Sequence, residues 1–182
     1  MPHGRHIAVT SNQAASEQVE VIDLDGNVIE IVSRQRMREE KLRHRSVFIA
    51  VINDDGDLLV HRRAEHKDVW PGWWDVAVGG VVGVSEDYDA AARRELREEL
   101  GIDAAKIESI GTGAYVDETV KLVASCYVVY DNGPFQFTDD EITEAHWVTA
   151  GELDIWLSAK PFLPDSIALV LPRLRQFARI VV

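Results

Sequence analysis

The sequence of 182 residues has a single cysteine, Cys126, and no long apolar run. One thiol excludes an intramolecular disulfide and does not supply the ligands of a structural zinc or iron–sulfur site. A membrane-spanning helix needs about 20 consecutive apolar residues, and a secretory signal needs an apolar core near the N-terminus. Because neither pattern is present, we expect a soluble protein of the cytoplasm that does not bind membranes.

Basic residues are also scarce, since 19 Lys and Arg stand against 31 Asp and Glu and give a net charge of −12. Such a charge disfavours binding to nucleic acid polymers and to anionic membranes. An anionic small molecule must therefore be bound by local basic side chains or by a metal ion. The length suits one domain, residues 18–182, after a polar segment, residues 1–17, that we expect to be disordered.

Alternating apolar and polar residues predict two β-hairpins. The first turns at Asp25-Gly26 and, with a charged helix-favouring segment, forms an N-terminal extension over residues 18–43. It is either simply the first two strands or an edge that supports a homodimer or covers a substrate. The second turns at Asp54-Asp55-Gly56, and a short strand at residues 76–78 then leads into two glycines.

A dense acidic cluster follows these glycines. Residues 80–102 read GVVGVSEDYDAAARRELREELGI. Ser85 is the predicted N-cap of a helix over residues 86–100, and Gly101 is its predicted left-handed C-cap. One face of this helix is apolar at i, i+4 and i+8 spacing, whereas the neighbouring face collects glutamates at i, i+3 and i+4.

The glutamates Glu95, Glu98 and Glu99 repel one another at this spacing, and the last two lie near the negative end of the helix dipole. A cation is expected to compensate them. Oxygen ligands without Cys or His select a hard divalent ion, so Mg²⁺ is the first expectation and Mn²⁺ the second. The alternative is a solvated acidic face paired with neighbouring arginines. Glu86 and Arg94 lie about 80° apart around the helix and can also pair.

The same stretch resembles the signature of the Nudix hydrolases and matches it at every fixed position. The matching residues are Gly80, Glu86, Arg94, Glu95, Leu96, Glu98, Glu99, Gly101 and Ile102. The resemblance covers roughly residues 44–160. It implies an α/β fold, the Nudix α/β/α sandwich with a mixed β-sheet, here with an N-terminal β-hairpin. It also implies a metal-dependent hydrolase that cleaves a diphosphate linkage in a nucleoside diphosphate derivative or a related organic pyrophosphate.

The resemblance assigns roles to individual residues. It makes Glu98 and Glu99 metal ligands, Glu95 a ligand or the general base, and Arg94 the residue that orients Glu95. Gly79 matches the position whose carbonyl oxygen binds the metal. An acid shortly before the last strand acts in related hydrolases as a further ligand or base, and the candidates are Glu141 and Glu144.

Three residues before the glycines are candidates for binding the substrate. Arg62 and Arg63 end a predicted strand, and their guanidinium groups suit phosphate oxygens. Trp74 belongs to a tryptophan-rich loop that either stacks on the substrate or anchors the core. The loops that select the group attached to the diphosphate are not specified by the motif.

Two other functions are compatible with parts of the sequence. The segment before the motif is similar to isopentenyl diphosphate isomerase, but Gly79 and Val81 stand where that enzyme has its catalytic cysteine and a metal-binding histidine. His44 alone remains of that metal set, and Cys126 lies in a predicted strand elsewhere, where a buried hydrophobe is the expected role. A nucleotide-binding module without catalytic activity is the other alternative.

Overall fold

The structure is a computed structural model that describes residues 15–104, 106–137 and 140–178. Most of the segment predicted to be disordered, residues 1–17, lies outside the described residues. The strands are β1 (Gln18–Ile22), β2 (Val28–Ser33), β3 (His44–Ile52), β4 (Leu58–Arg63), β5 (Trp74–Asp75), β6 (Val78–Val81), β7 (Glu108–Val116), β8 (Lys121–Tyr130) and β9 (Ile142–Val148). The helices are α1 (Arg34–Glu39), α2 (Tyr88–Leu100), α3 (Ala150–Ala159) and α4 (Pro164–Ala178).

Strand β3 lies at the centre of the sheet. It pairs in parallel with β8 and antiparallel with β1, β4 and β6, whereas β4 also pairs with β5 and β9. The sheet is therefore mixed, as predicted. Because successive side chains point to opposite faces of a strand, an uninterrupted apolar run such as residues 47–52 requires cover on both faces.

Helices supply this cover. On one face, Val47, Ile49 and Val51 pack in a cluster with Leu96 and Leu100 of α2. On the other face, Phe48, Ala50 and Ile52 pack in a cluster with Leu169, Val170, Leu171 and Leu174 of α4. The result is the predicted α/β/α sandwich.

The N-terminal hairpin forms as predicted, with β1 pairing antiparallel to β2. Gly26 has φ of 87° in the turn, a conformation that glycine adopts without a Cβ clash. Strand β2 is at the end of the strand order and exposes the apolar side chains of Val28, Ile29 and Ile31. A homodimer through this edge stays a prediction.

Two sequence-based boundaries were wrong. The short strand predicted at residues 76–78 is replaced by β5 and by β6, which includes both glycines of the Gly79-Gly80 pair because they pair with Phe48 and Val47 of β3. The N-cap of α2 is Asp87 instead of Ser85. Ser85 has a positive φ of 60°, whereas an N-cap needs extended backbone.

Among the described residues, no helix combines the length and the apolar character that crossing a membrane requires.

Candidate active site

Helix α2 holds the glutamates in fixed positions because both its ends are capped and its apolar face is buried. The Asp87 side chain accepts a hydrogen bond from the Ala90 N–H at 2.7 Å, and Gly101 closes the helix in the left-handed conformation with φ of 68°. Leu96 and Leu100 are fully buried. This packing turns Glu95 and Glu99 inward, where 8% and 4% of each residue is exposed, and leaves Glu98 exposed.

Arg94 connects the acidic residues of this region. Its Nε and Nη2 atoms donate to the two carboxylate oxygens of Glu86, each at 3.0 Å. The expected pair forms, although Glu86 lies in the turn before the helix. Its Nη1 donates to Glu95 at 2.7 Å and to Glu98 at 3.0 Å. The Val81 carbonyl accepts a further bond at 3.2 Å. Arg94 therefore orients Glu95 and Glu98, two of the three clustered glutamates, through hydrogen bonds.

The two glycines of β6 bring the backbone close to these carboxylates. A Cβ atom on Gly80 would overlap the Glu95 carboxylate, and one on Gly79 would overlap the Val47 carbonyl oxygen. The Gly79 N–H donates to Glu99 Oε1 at 3.2 Å. A side chain at position 80 would therefore displace the Glu95 carboxylate, and one at position 79 would push β6 away from β3.

The electrostatics of this cluster match a divalent cation. Burial raises the pKa of Glu95 to about 7 although Arg94 opposes the shift, and burial and repulsion from Glu95 raise the pKa of Glu99 well above its usual range. Within the described residues, no three Asp, Glu, His or Cys side chains are already grouped around a common ion position. The donors are nonetheless all oxygens, and Glu95, Glu98 and Glu99 are neighbours at i, i+3 and i+4 on α2. The residues present therefore fit a hard ion such as Mg²⁺ or Mn²⁺.

Of the two acidic candidates before the last strand, Glu141 and Glu144, only one lines the cleft. Glu141 lines the same cleft as Glu95 and Glu98, and Lys67 Nζ donates to its Oε2 at 2.5 Å. Glu144 is exposed on β9 and contacts His146 Nε2 at 2.6 Å, without lining the cleft. Of the two candidates, only Glu141 is near the glutamates of α2.

The structure also separates the three candidates for substrate binding. Arg63 lines the cleft and donates to the Val69 carbonyl at 3.3 Å, whereas Arg62 is bonded to the Gly72 carbonyl and Glu65. Trp74 is buried in the core, 5.0 Å from the Trp156 ring centroid in an edge-on arrangement. Adjacent residues on a strand such as β4 point to opposite faces of the sheet, and the sequence does not show which face borders the cleft.

The cleft has a volume of about 1140 Å³ and extends from α2 past β6 towards α4. Its lining contains more acidic than basic residues, and two of the basic ones, Arg34 and Arg38 of α1, were not predicted from the sequence. Both guanidinium groups donate to Asp68 Oδ2, at 3.2 and 3.1 Å. Burial alone would raise the pKa of Asp68, but the two arginines hold it well below its usual range. Lys67 also lines the cleft and was not predicted. It lies in the loop between β4 and β5, where no periodic pattern indicates which way a side chain points.

The only cysteine lies apart from the cleft. Cys126 is fully buried in the α4 side of the core, and burial raises the pKa of its thiol to about 11. A buried neutral thiol outside the cleft cannot serve as the proton donor that an isomerase needs. The structure thus agrees with the sequence in giving no support to that alternative.

Comparisons with known proteins identify relatives of this chain. The family model of the NUDIX domain matches residues 42–166. A Nudix hydrolase of Yersinia pestis, YPO2781, is 39% identical over 160 residues, which are 87% of each chain, and YfcD of Salmonella typhi is 37% identical over 154 residues, which are 85% of this chain and 83% of YfcD. The crystal structure of DR0079 from Deinococcus radiodurans superposes with a TM-score of 0.74 at 24% identity, covering 88% of this chain and 99% of DR0079.

Proposed function

Because this chain belongs to the Nudix hydrolases, which act on pyrophosphate bonds, we propose that it is a divalent-metal-dependent enzyme. Its substrate is a nucleoside diphosphate derivative or a related organic pyrophosphate, from which it cleaves the diphosphate linkage. The observation that carries this proposal is the position of Glu95 and Glu99 beside the two glycines of β6, with Glu95 and Glu98 lining the cleft.

The proposed ion is Mg²⁺, or alternatively Mn²⁺, held by Glu95, Glu98 and Glu99 with the Gly79 carbonyl and Glu141 as further ligands. When bound, such an ion neutralises phosphoryl oxygens and lowers the pKa of a coordinated water. Glu144 is left out of the proposed ligand set because it does not line the cleft and contacts His146 instead. Two buried, mutually repelling carboxylates are the feature that an ion stabilises most directly.

The proposed general base is Glu95, with Glu141 as the second candidate. Arg94 holds one carboxylate oxygen of Glu95 at 2.7 Å and thereby fixes the side chain against Gly80. Glu141 is restrained by Lys67 in the same way. Either carboxylate can accept a proton from the attacking water once its charge is established by the neighbouring cations.

Arg63 and Lys67 are the proposed contacts for the diphosphate. Both line the cleft near Glu99, and both lower the pKa of its carboxyl group through space. A guanidinium and an ammonium at this position can donate hydrogen bonds to phosphate oxygens. Arg62 and Trp74, which the sequence also suggested, support the fold around them instead of lining the cleft.

The test is an activity screen with the variant Glu98→Gln. Wild-type protein is assayed with Mg²⁺ or Mn²⁺ on ADP-ribose, nucleotide sugars, dinucleoside polyphosphates, oxidised nucleoside triphosphates and prenyl diphosphates. We expect metal-dependent cleavage of at least one class, and a loss of about 100-fold or more in E98Q, which keeps the side chain but removes a charged ligand. Glu144→Gln is the matched control and should retain wild-type activity.

Three results would contradict the proposal. Isomerisation of isopentenyl diphosphate without hydrolysis would indicate the isomerase. Tight binding of a nucleotide with no cleavage would indicate a binding module. Full activity of E98Q, with circular dichroism unchanged, would remove Glu98 from the metal site.

A further inference from the structure

A buried glutamate of the N-terminal hairpin contacts the turn that precedes α2. Glu20 lies on β1, before the residues that match the NUDIX domain, and is 8% exposed. A carboxylate is rarely buried unless charged or polar groups pair with it, so its partners explain its position. Its two hydrogen-bond donors come from other parts of the chain.

One donor is the backbone of the turn. The Ser85 N–H donates to Glu20 Oε1 at 2.9 Å, and an antiparallel bridge between Val19 and Gly83 holds the same turn against β1. Ser85 has φ of 60°, a left-handed conformation that is uncommon for residues other than glycine. Such a conformation persists when its surroundings hold it, and Glu20 supplies one of the bonds that do so.

The other donor is Arg45 of β3. Its Nη2 donates to Glu20 Oε2 at 2.6 Å and to the Glu86 carbonyl oxygen at 3.0 Å. Its Cζ atom lies 5.4 Å from the centre of the Tyr88 ring, at the first residue of α2. The side chains of Glu20 and Arg45 are 10% and 17% exposed, so solvent screens this pair less than a surface ion pair. Glu20 therefore holds Arg45 against both the turn and the start of the helix.

The turn in its own right fixes Glu86, the partner of Arg94. The Gly83 N–H donates to Glu86 Oε2 at 2.8 Å, and the Glu86 N–H donates to the Gly83 carbonyl at 3.2 Å. Burial alone would raise the pKa of the Glu86 carboxyl, but its bonds with Arg94 and Gly83 bring it below its usual range. The positive charge of Arg45 lowers it further. Glu86 is thus an anion that receives two N–H bonds from Arg94, the residue that orients the glutamates of the proposed metal site.

We propose that Glu20 is a positioning residue for this metal site. Through Ser85 and Arg45, Glu20 fixes the turn that carries Glu86. Glu86 then holds Arg94 against the glutamates that bind the metal. This inference rests on the proposed function, and it adds a residue of the N-terminal hairpin that the Nudix motif does not include.

The alternative is that Glu20 only anchors the hairpin and contributes stability. The two roles differ in what a substitution changes. Loss of an anchor lowers the unfolding temperature but leaves the metal affinity of the folded protein unchanged. Loss of a positioning residue also weakens metal binding, because the ligands are no longer held in one geometry.

The variant Glu20→Gln tests the proposal. An amide has one oxygen in place of two, so the bonds from Ser85 and Arg45 cannot both be kept. Mn²⁺ binding is measured by calorimetry without substrate, and the Mg²⁺ concentration for half-maximal activity is measured separately. Replacing a residue that holds a metal ligand directly weakens binding about 10–100-fold, and Glu20 acts through further residues, so we expect about three- to tenfold weaker Mn²⁺ binding in E20Q. The Mg²⁺ requirement should rise equally, with kcat near the wild-type value at saturating Mg²⁺.

Two controls come from the same hairpin. Glu30→Gln removes the carboxylate of an exposed pair with Arg36, and Val21→Ala removes apolar volume from the buried cluster on β1. V21A should lower the unfolding temperature. Neither variant should change the Mn²⁺ affinity, which separates a general loss of hairpin stability from a loss of positioning.

A double variant tests whether Glu20 acts through Arg94. If it does, E20Q should weaken Mn²⁺ binding by less than about twofold when Arg94 is already lysine, because the effects of coupled residues are not additive. An equal loss in both backgrounds would contradict this route. Arg45→Lys keeps the charge but not the planar fork, and it tests the same link if E20Q does not fold. R45K should also weaken Mn²⁺ binding.

The outcomes separate this inference from the proposed function. Wild-type Mn²⁺ affinity in folded E20Q or R45K would overturn the positioning role while leaving the hydrolase intact. Weaker Mn²⁺ binding in these variants, without cleavage of any diphosphate by the wild-type protein, would support the positioning role and overturn the hydrolase. A wild-type protein that binds no Mn²⁺ would contradict both.

Discussion

Arg94 is the residue on which the geometry of the acidic cluster depends. One guanidinium group contacts the carboxylates of Glu86, Glu95 and Glu98, and it binds Glu86 through two parallel N–H donors. The planar fork of arginine fits this arrangement, whereas the single ammonium of lysine cannot contact all three. Arg94 touches the proposed ligands without lying among them, so its effect is to position them.

The substitution Arg94→Lys tests this role. We expect a 10–100-fold loss of activity together with weaker metal binding, because Glu95 and Glu98 lose their common donor while the positive charge is retained. Metal titrations of kcat, with Mg²⁺ and Mn²⁺ in turn, provide the measurement. Arg97→Lys is the control, since Arg97 is exposed on the same helix and pairs only loosely with Asp103 at 3.8 Å. Wild-type metal dependence in R94K would contradict the positioning role.

Helix α2 illustrates how a local signal is corrected by its surroundings. Ser85 and Asp87 are both good N-cap residues by type. Ser85 does not cap the helix, because its N–H donates to Glu20 of β1 at 2.9 Å and its backbone adopts a positive φ. Asp87, two residues later, is extended and accepts the Ala90 N–H. The contact between β1 and the loop before α2 therefore determines where the helix begins.

Two alanine variants distinguish the caps. Asp87→Ala should lower the free energy of unfolding by about 1 kcal/mol, the usual cost of removing an N-cap acceptor, whereas Ser85→Ala should change it by less than about 0.5 kcal/mol. Urea titration followed by tryptophan fluorescence measures both. The reverse order would mean that Ser85 caps the helix in solution.

At the scale of the whole molecule, the packed sheet buries a second histidine with a cost that depends on pH. His61 on β4 is 2% exposed, and its Nδ1 has no hydrogen-bond partner among the described residues. Burial, followed by the charges of Arg63 and Lys67, lowers its pKa from 6.5 to about 3. Below pH 6.5 the unfolded chain therefore binds a proton that the folded chain does not, so this residue destabilises the fold as the pH falls towards 3.

The variant His61→Leu removes this pH-dependent loss of stability. Because one pH unit of unequal protonation corresponds to about 1.4 kcal/mol, H61L should gain about 2 kcal/mol relative to wild type when the pH is lowered from 7 to 5. The difference between the two proteins is the relevant quantity, since Asp75 and Asp165 have raised pKa values and act in the opposite direction. Urea unfolding at both pH values measures it, with His66→Leu at an exposed position as the control. A difference independent of pH would show that His61 is protonated in the fold.

The periodicity of residues 80–102 was enough to predict the helix, its glycine C-cap and the apolar face that packs on the sheet, because these features depend on neighbours within a few turns. It did not predict that Glu95 and Glu99 are buried while Glu98 is exposed. The same applies to the hairpin at Asp25-Gly26 and to the continuous apolar run of β3, whose composition requires helices on both faces. Glu86 does pair with Arg94, but it lies before the Asp87 N-cap, so the turn that precedes α2 positions it and helical spacing does not.

By itself, then, the sequence determined the α/β/α fold and the glutamate cluster on α2. Only the tertiary structure decided that Glu141 and Arg63 line the cleft whereas Glu144, Arg62 and Trp74 do not. Neighbours on one strand differ in direction, and sequence spacing does not reveal which face becomes the cleft. The glutamates of α2, the arginines of α1 and Glu141 come from segments far apart in the chain. Their proximity is created by the order in which the strands pair, a property of the sheet that no local pattern encodes.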